Sequence, residues 1–312
     1  MPINIKPFVI AATALALSMI ACAGPTPTTS QHDQPNPELL PPFEPGQNHE
    51  LAPRRPYGHA HNDYEHARPL TTALTAGALA IEADVHLVDG QLLVAHDADE
   101  VDPNKTIQSL YLDPLFQRFT TLGGINPAHP FNGRVRESSL PVVLMIDFKT
   151  DGDDAWPVLE SILYNYPGLA RTIHRDHNTG NITVVEGPVI IAISGNRPDI
   201  DSLRNARIRR TAIDGGLFVD LQNEPAHLYP MVSASDNMAL DQSGGSWSPG
   251  NTALQSILRT AANKAALEGR LSRIWGAPDS YTSWDIQLNA GITLINNDDP
   301  IALEAYITSQ LP

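Results

Sequence analysis

The chain has 312 residues and carries 20 lysines and arginines against 35 aspartates and glutamates, so its formal net charge is −15 at pH 7. So acidic a surface repels a phosphate backbone, which argues against nucleic acid as a partner. A site for any other phosphorylated ligand would need a local positive charge, and a bound divalent metal is its simplest source.

The first 22 residues have the pattern of an export signal. A positive start with Lys6 leads into an apolar run from Phe8 to Ile20, which is followed by Ala21 and Cys22. The run is short for a permanent membrane span, which favours a signal peptide that is cleaved.

Cys22 is the only cysteine in the chain, so no intrachain disulfide can form. Residues 19–22 resemble a bacterial lipobox, with Met19 where leucine is usual, in which the cysteine is lipidated. We expect an exported lipoprotein, anchored in a membrane through Cys22 and facing the periplasm or the cell exterior. A plain secretory peptide cut nearby is the alternative. Residues 23–53 are proline-rich and are expected to form an extended tether.

Residues 54–312 are predicted to form one α/β domain, a TIM (β/α)8 barrel. Apolar runs of strand length alternate with segments of helical period, which is typical of a parallel sheet with crossover helices. Strands are predicted at residues 57–61, 79–86, 142–148, 189–194, 217–221, 231–235, 271–275 and 292–296, and helices at 69–76, 156–164, 252–268 and 300–307. The glycine-rich first turn of a Rossmann sheet is absent, which favours the barrel.

The segment 101–140 is longer than a simple connection, and we interpret it as a helix-bearing insertion near the mouth of the barrel. In barrels of this class the active site lies at the carboxyl ends of the strands. Polar residues at the predicted strand ends are therefore the candidates for function.

Two carboxylates lie in the second predicted strand. Glu82 and Asp84 are two positions apart, so both side chains point to the same side of the strand. Two carboxylates inside a barrel need a cation or a shared proton to neutralise them. The alternative is a salt-bridged pair on an exposed edge strand.

Three imidazole or amide side chains flank these acids. His61 and Asn62 close the first predicted strand, and His96 follows a hairpin whose turn is Asp89 and Gly90. His59 lies two residues before His61 and on the same face, so either histidine could be the catalytic one.

A further candidate pair lies in the third predicted strand. Asp147 follows an apolar run, and Lys149 is two positions on, hence on the same face. The pair is interpreted as part of the site, with a structural ion pair as the alternative.

These motifs resemble the PI-PLC-like phosphodiesterase superfamily, which includes phosphatidylinositol-specific phospholipase C, glycerophosphodiester phosphodiesterases and sphingomyelinase D. The run HNDY at 61–64 resembles the phospholipase C motif, and IEADVHLVDGQLLVAHD at 81–97 resembles the glycerophosphodiesterase run that ends in a histidine. Asp147 with Lys149, and Asn297 with Asp298 before Pro300, are similar to further strand-end motifs of these enzymes. The opening His-x-His-Asn-Asp-Tyr run is most similar to the altered inheritance of mitochondria subgroup.

The resemblance implies a distorted TIM barrel with a metal-dependent site. It implies that Asn62, Glu82, Asp84 and Asp147 bind one divalent cation, Mg²⁺ or Ca²⁺. His61 and His96 would divide the proton transfers, and Lys149 would bind the phosphate.

The implied activity is cleavage of a small phosphodiester, either lipid-derived or glycerophosphodiester-like. The arginine and glycine that follow the first histidine in glycerophosphodiesterases are Asn62 and Asp63 here, so the resemblance does not assign the substrate alcohols. Hydrolysis and formation of a cyclic phosphate both stay open. Two alternatives are a sphingomyelinase D-like enzyme that releases a lipid head group and a non-catalytic binding lipoprotein on the same barrel.

Overall fold

The structure is a computed structural model, and it describes residues 56–310. The predicted signal peptide (1–22), its lipidation site Cys22 and the predicted tether (23–53) lie outside the described residues. Within residues 56–310, no helix combines the length and the apolar character that crossing a membrane requires.

Twelve strands occur in the described chain. They are β1 Tyr57–Ala60, β2 Ala80–Val88, β3 Gln91–Val94, β4 Val142–Phe148, β5 Thr172–Arg175, β6 Ile182–Val185, β7 Val189–Gly195, β8 Ile208–Arg209, β9 Thr211–Gly216, β10 Met231–Ser235, β11 Leu271–Trp275 and β12 Leu294–Asn297. Eight of them pair in parallel in the order β1, β2, β4, β7, β9, β10, β11 and β12, and β12 pairs with β1 to close the ring. The predicted TIM barrel is confirmed.

Helices cover the outside of the barrel. They are α1 Thr71–Ala76, α2 Asp113–Thr121, α3 Gly152–Leu163, α4 Ile200–Asn205, α5 Asp236–Ser243, α6 Thr252–Leu267, α7 Tyr281–Ala290 and α8 Pro300–Gln310. Several begin at a side chain that accepts from the first turn, such as Asp151 before α3 and Asn251 before α6. The four predicted helices correspond to α1, α3, α6 and α8.

Alternation along the strands divides the barrel into an outer and an inner core. In β2, Ile81, Ala83 and Val85 pack outward among the helices, while Ala80 belongs to a separate apolar cluster that also includes residues of β4, β7 and β12. The intervening positions Glu82 and Asp84 belong to the inner face. The inner face is thus apolar at the amino ends of the strands and polar towards their carboxyl ends, which is where a site can form.

The strand predicted at residues 217–221 is wrong. The fifth barrel strand is β9, Thr211–Gly216, and residues 217–221 form the turn after it. Leu217 and Leu221 are both buried in an outer cluster, so this loop has the composition of a strand without being one. Asp214, in contrast, interrupts the true strand with a buried carboxyl group.

The hairpin of β2 and β3 is antiparallel and follows the prediction from Asp89 and Gly90. Both turn residues have positive φ angles, 48° and 77°, which is the conformation that a two-residue hairpin turn of this kind requires. Because β3 runs antiparallel to β2 after this turn, His96 lies beside Asp84.

The insertion at 101–140 contains α2, as predicted, but only its first part lies near the mouth. Tyr111 donates to Asp63, which follows β1 at the carboxyl end of the barrel. Phe131, further along, packs with Leu79 and Val143 at the amino end, and Arg136 donates to the carbonyl of Ala78. The prediction that the whole insertion lies at the mouth is therefore wrong for its second part, which closes the opposite end.

A second sheet was not predicted. Strands β5, β6 and β8 form a three-stranded antiparallel sheet outside the barrel, in the order β6, β5, β8. We call it the small sheet.

Candidate active site

Three carboxylates converge at the carboxyl end of the barrel. Asp84 on β2 lies beside Asp147 on β4 in the strand register, and Glu82 is one inward-facing position below Asp84. Each of the three offers an oxygen within 4.8 Å of the others. The acidic cluster expected from the i, i+2 spacing is thus present.

The two oxygens of Asp84 have different surroundings. Oδ2 accepts from the Tyr64 hydroxyl at 2.9 Å and lies 2.9 Å from Nζ of Lys149 and 2.8 Å from Nδ1 of His96. Oδ1 is buried and has no hydrogen-bond partner among residues 56–310. A buried carboxylate oxygen without a partner is costly, so this atom is the one most in need of a ligand.

Glu82 forms an ion pair with a buried arginine, Arg273. Its Oε2 accepts from Arg273 at 2.9 Å and lies 2.8 Å from Nε2 of His59. Burial alone would raise the pKa of Glu82, but Arg273 and His59 together hold it well below its usual range. The carboxylate is therefore ionised, and no residue of the described chain bonds its Oε1.

Asp147 is fixed on both sides. Oδ1 lies 2.9 Å from Nζ of Lys149, and Oδ2 accepts from the Ser194 hydroxyl at 2.8 Å. At Gly195 an added Cβ would lie only 2.5 Å from Oδ1 of Asp147, so the close approach requires glycine. Lys149 is a bridge between two carboxylates, and although burial opposes its charge, the bonds to Asp84 and Asp147 raise its pKa.

The donor set fits a hard divalent cation. Mg²⁺ and Ca²⁺ prefer oxygen ligands, and carboxylate oxygens are the strongest of these in proteins. Glu82, Asp84 and Asp147 supply three such groups, one of them with an orphaned buried oxygen. The residues present therefore could hold the ion that the sequence predicts.

The two candidate histidines are both held through Nδ1 by a carboxylate. Nδ1 of His96 lies 2.8 Å from Asp84, and Nδ1 of His61 lies 2.7 Å from Oδ1 of Asp298, which follows β12. Their side chains are 50% and 34% exposed, respectively, and no described residue bonds either Nε2. Each ring thus keeps one nitrogen free to exchange a proton at the mouth.

His59 has a different environment from His61. It is fully buried inside the barrel, 2.7 Å from a guanidinium nitrogen of Arg273, and burial together with that charge lowers its pKa to about 4. A neutral, enclosed imidazole below the cluster supports the fold and cannot reach a substrate. The geometry thus favours His61 over His59 as the acid/base group.

Asn62 lies at the carboxyl end of β1, directly after His61. Its backbone is left-handed, with φ 43° and ψ 44°, a conformation that asparagine tolerates better than most residues. Its side chain makes no hydrogen bond with a described residue, and its predicted role as a metal ligand stays a prediction. The neighbouring Asp63 is buried and accepts from the backbone of Leu70 and from Tyr111, which fixes the loop after β1.

Sequence reasoning missed several members of the site. Arg273 lies in β11 and pairs with Glu82 from 191 positions away in the chain. Nothing in the local pattern distinguishes it from a surface arginine, although an arginine inside an apolar strand run was a usable signal. Asp298 belongs to the motif before Pro300, but its contact with His61 spans 237 positions and has no local signal.

Residues 53–214 match the family described as the AIM6-like phosphodiesterase domain, which is just over half of the chain. The chain belongs to this family. The AIM6-like match includes both candidate histidines, Asn62 and the three clustered carboxylates. Arg273 and Asp298 lie beyond the matched range.

Two curated relatives carry the family's name. The chain is 33% identical to the altered inheritance of mitochondria protein 6 homolog of Arthroderma benhamiae, over 80% of this chain and 82% of that protein. It is 29% identical to altered inheritance of mitochondria protein 6 of Kluyveromyces lactis, over 47% of this chain and 39% of that protein. Among solved structures, it is similar to a glycerophosphodiester phosphodiesterase from Parabacteroides distasonis, with a TM-score of 0.46 and 15% identity over 82% of this chain and 95% of that one.

Proposed function

We propose that this AIM6-like protein is a metal-dependent phosphodiesterase that cleaves a lipid-derived or glycerophosphodiester-like phosphodiester with two histidines as acid and base. The observation that carries the proposal is the pair of imidazoles at the barrel mouth, each held at Nδ1 by a carboxylate, beside a cluster of three carboxylates. Membership of a phosphodiesterase family supports the reaction class.

Glu82, Asp84 and Asp147, with Asn62, would hold one divalent cation, Mg²⁺ or Ca²⁺. When bound, such an ion polarises a phosphoryl oxygen and stabilises the charge that develops in the transition state, an effect worth several kcal/mol. The bond from Arg273 keeps Glu82 ionised, and Tyr64 donates to Asp84. Both carboxylates are therefore oriented before any ligand binds.

His61 and His96 would move the protons through their free Nε2 atoms. One ring accepts a proton from the attacking hydroxyl or water, and the other donates a proton to the leaving oxygen. Asp298 and Asp84 fix which ring nitrogen carries out the transfer and stabilise the imidazolium that forms. Lys149 would bind a phosphate oxygen as a point charge while it keeps Asp147 in place.

The test is turnover of a set of phosphodiesters by the purified wild-type protein and by the variants Glu82→Ala and His96→Ala. We expect both variants to lose turnover by roughly two orders of magnitude or more. Phosphorus NMR of the product separates hydrolysis from formation of a cyclic phosphate. Glu137→Ala and His177→Ala, at exposed positions away from the cluster, serve as controls and should keep full turnover. Unchanged turnover in both site variants would refute the proposed phosphodiesterase activity of this site.

We also propose that the protein is exported and anchored in a membrane through lipidated Cys22, which supports a periplasmic or extracellular substrate. Cell fractionation tests this part separately. The wild-type protein should be found with membranes, and Cys22→Ser should not be lipid-modified; equal lipid incorporation in both would contradict the anchor.

A further inference from the structure

The small sheet lies towards the amino end of the barrel, away from the candidate site. Ala170, just before β5, forms a bridge with Val189 at the start of β7, and β8 ends two residues before β9 begins. The amino ends of the barrel strands lie opposite the mouth. The described chain also enters at this end, because Pro56 directly precedes β1.

One face of the small sheet is exposed. His174 pairs with Thr183 on one side and with Ile208 on the other, so the three side chains share a face. All three are exposed, Ile208 by 44%, and Val185 on the same face is 42% exposed. The opposite face carries the buried Ile173 and Arg209, and at its β6 edge the exposed Ile182 and Val184. We call the exposed side, with the adjoining turn, the outer face.

The outer face lies in a basic segment of an acidic chain. Residues 171–210 contain seven of the 20 basic residues and only four of the 35 acidic ones, an excess of three positive charges in a chain of net charge −15. The remainder of the chain therefore carries a net charge of −18. The segment thus carries a net positive charge within an acidic chain.

Several of these arginines are already neutralised by carboxylates, but Arg175 at the end of β5 and Arg207 just before β8 are not. Arg175 lies on the opposite face of β5 from His174, and its guanidinium donates to the carbonyl of Arg204. Arg171, Arg204 and Arg210 form ion pairs with carboxylates of the body. Arg175 and Arg207 have no carboxylate within ion-pair distance among residues 56–310.

An open cleft of about 730 Å³ brings these two arginines together with His174 and His177. The carboxylate that shares the cleft, Asp176, accepts from the backbone of its own turn, at Asn178 and Thr179. The cleft is thus a concentration of cationic and imidazole groups beside exposed aliphatic side chains.

We propose that the outer face docks the protein on an anionic lipid surface. Arginines attract lipid phosphates, and the exposed Val185 and Ile208 are suited to the boundary between head groups and acyl chains. An exposed apolar patch rimmed by charge is typical of an interaction site. Docking here would turn the barrel mouth away from the membrane and towards solution.

Two other occupants fit the face less well. A second copy of the chain would bring the unpaired Arg175 and Arg207 of both copies together, and like charges repel. Nucleic acid offers phosphates but no acyl chains for the exposed Val185 and Ile208 to contact.

The test is co-sedimentation of the full chain carrying Cys22→Ser with two kinds of vesicle, pure phosphatidylcholine and a mixture of phosphatidylcholine and phosphatidylglycerol. The wild-type outer face should favour the anionic vesicles, and added salt should reduce the preference. Arg175→Gln/Arg207→Gln should weaken binding to anionic vesicles by about tenfold or more. Lys105→Gln/Arg259→Gln removes the same charge from exposed positions elsewhere and should change binding less than twofold.

Thermal unfolding of each variant checks that the fold is intact, so the result does not depend on the proposed phosphodiesterase activity. Three outcomes would overturn the proposal: no preference of the wild-type face for anionic vesicles, equal losses in the two double variants, or a concentration-dependent dimer that Ile208→Ser disrupts without any vesicle binding.

Discussion

At the scale of single residues, the contact of Asp298 with His61 is the most exposed part of the site. Oδ1 of Asp298 lies 2.7 Å from Nδ1 of His61, while its own side chain is 74% exposed. An exposed ion pair contributes little to stability. Its effect should therefore be on the orientation and the tautomer of the imidazole rather than on folding.

Asp298→Asn should reduce phosphodiester turnover by roughly tenfold to a hundredfold. The amide cannot stabilise an imidazolium as a carboxylate does, and it leaves the ring tautomer undetermined. Steady-state kinetics checks the result, and the unfolding midpoint should stay within about 1 °C of wild type because the free-energy change is small. Asp241→Asn, at an exposed position of α5, is the matched control. Equal turnover in both variants would show that Asp298 does not position His61.

The sequence predicted which residues share a face but not which atoms they bind. The i, i+2 spacing of Glu82 and Asp84, and of Asp147 and Lys149, follows from strand geometry alone. The partners Arg273 and Ser194 come from strands that are distant in the chain, and no local rule connects them. A single sequence therefore indicates the cluster and leaves its supporting bonds undetermined.

At the scale of elements, the ends of the barrel strands must approach each other closely to form the cluster. Gly195 ends β7 with φ +67°, and an added Cβ there would lie 2.5 Å from Asp147 and 2.6 Å from the carbonyl of Phe148. The backbone of β7 thus forms part of the wall against which the Asp147 carboxylate rests.

Gly195→Ala should displace Asp147 and lower both metal affinity and turnover, and it should cost roughly 1–3 kcal/mol of stability. Calorimetric metal titration and unfolding measure the two effects. Gly180→Ala separates them, because Gly180 has a similar φ of +73° and nothing within 4 Å of an added Cβ. If both alanine variants bind metal as the wild type does, the close contact with Asp147 has no role in the site.

A second prediction at this scale concerns the loop after β9. Arg209 on β8 donates to Nδ1 of His227 at 2.8 Å, and burial and this neighbouring charge lower the pKa of His227 to about 4 from an ordinary 6.5. Between these values the unfolded chain binds a proton that the folded chain does not, so stability falls as pH falls from 6.5 to about 4.

His227→Gln should therefore flatten the pH dependence of the free energy of unfolding across that interval, measured by denaturant titration at several pH values. His177→Gln, whose exposed side chain makes no hydrogen bond with a described residue, is the control. A profile that is identical for wild type and His227→Gln would contradict a lowered pKa of the half-buried His227.

Strand prediction fails where a segment has the composition of a strand but does not pair in a sheet. Residues 217–221 have the composition of a strand because Leu217 and Leu221 are buried in the outer cluster, while the true strand β9 contains the buried Asp214. Hydrophobic periodicity indicates burial and not strand pairing, so it predicts a strand in this partly buried loop. The small sheet was missed because its strands are short and mostly exposed.

At the scale of the whole molecule, the sequence was sufficient for the architecture. Regular alternation of strand and helix patterns predicted an eight-unit barrel, and the closed parallel ring confirms it. The distribution of charge could not be predicted, because it depends on which carboxylates neutralise which arginines. The folded protein concentrates three carboxylates at one end and unpaired arginines towards the other, within a chain of net charge −15.

The most direct test of the central claim is phosphodiester turnover as a function of Mg²⁺ and Ca²⁺ concentration, measured after chelation for the wild type and for Asp84→Asn. We expect chelation to abolish wild-type turnover and one of the two cations to restore it. Asp84→Asn, which alters the carboxylate with the orphaned buried oxygen, should need a far higher cation concentration and remain at least about a hundredfold slower. Full turnover in the presence of chelator, or the same cation dependence in both proteins, would contradict a metal-dependent site at this cluster.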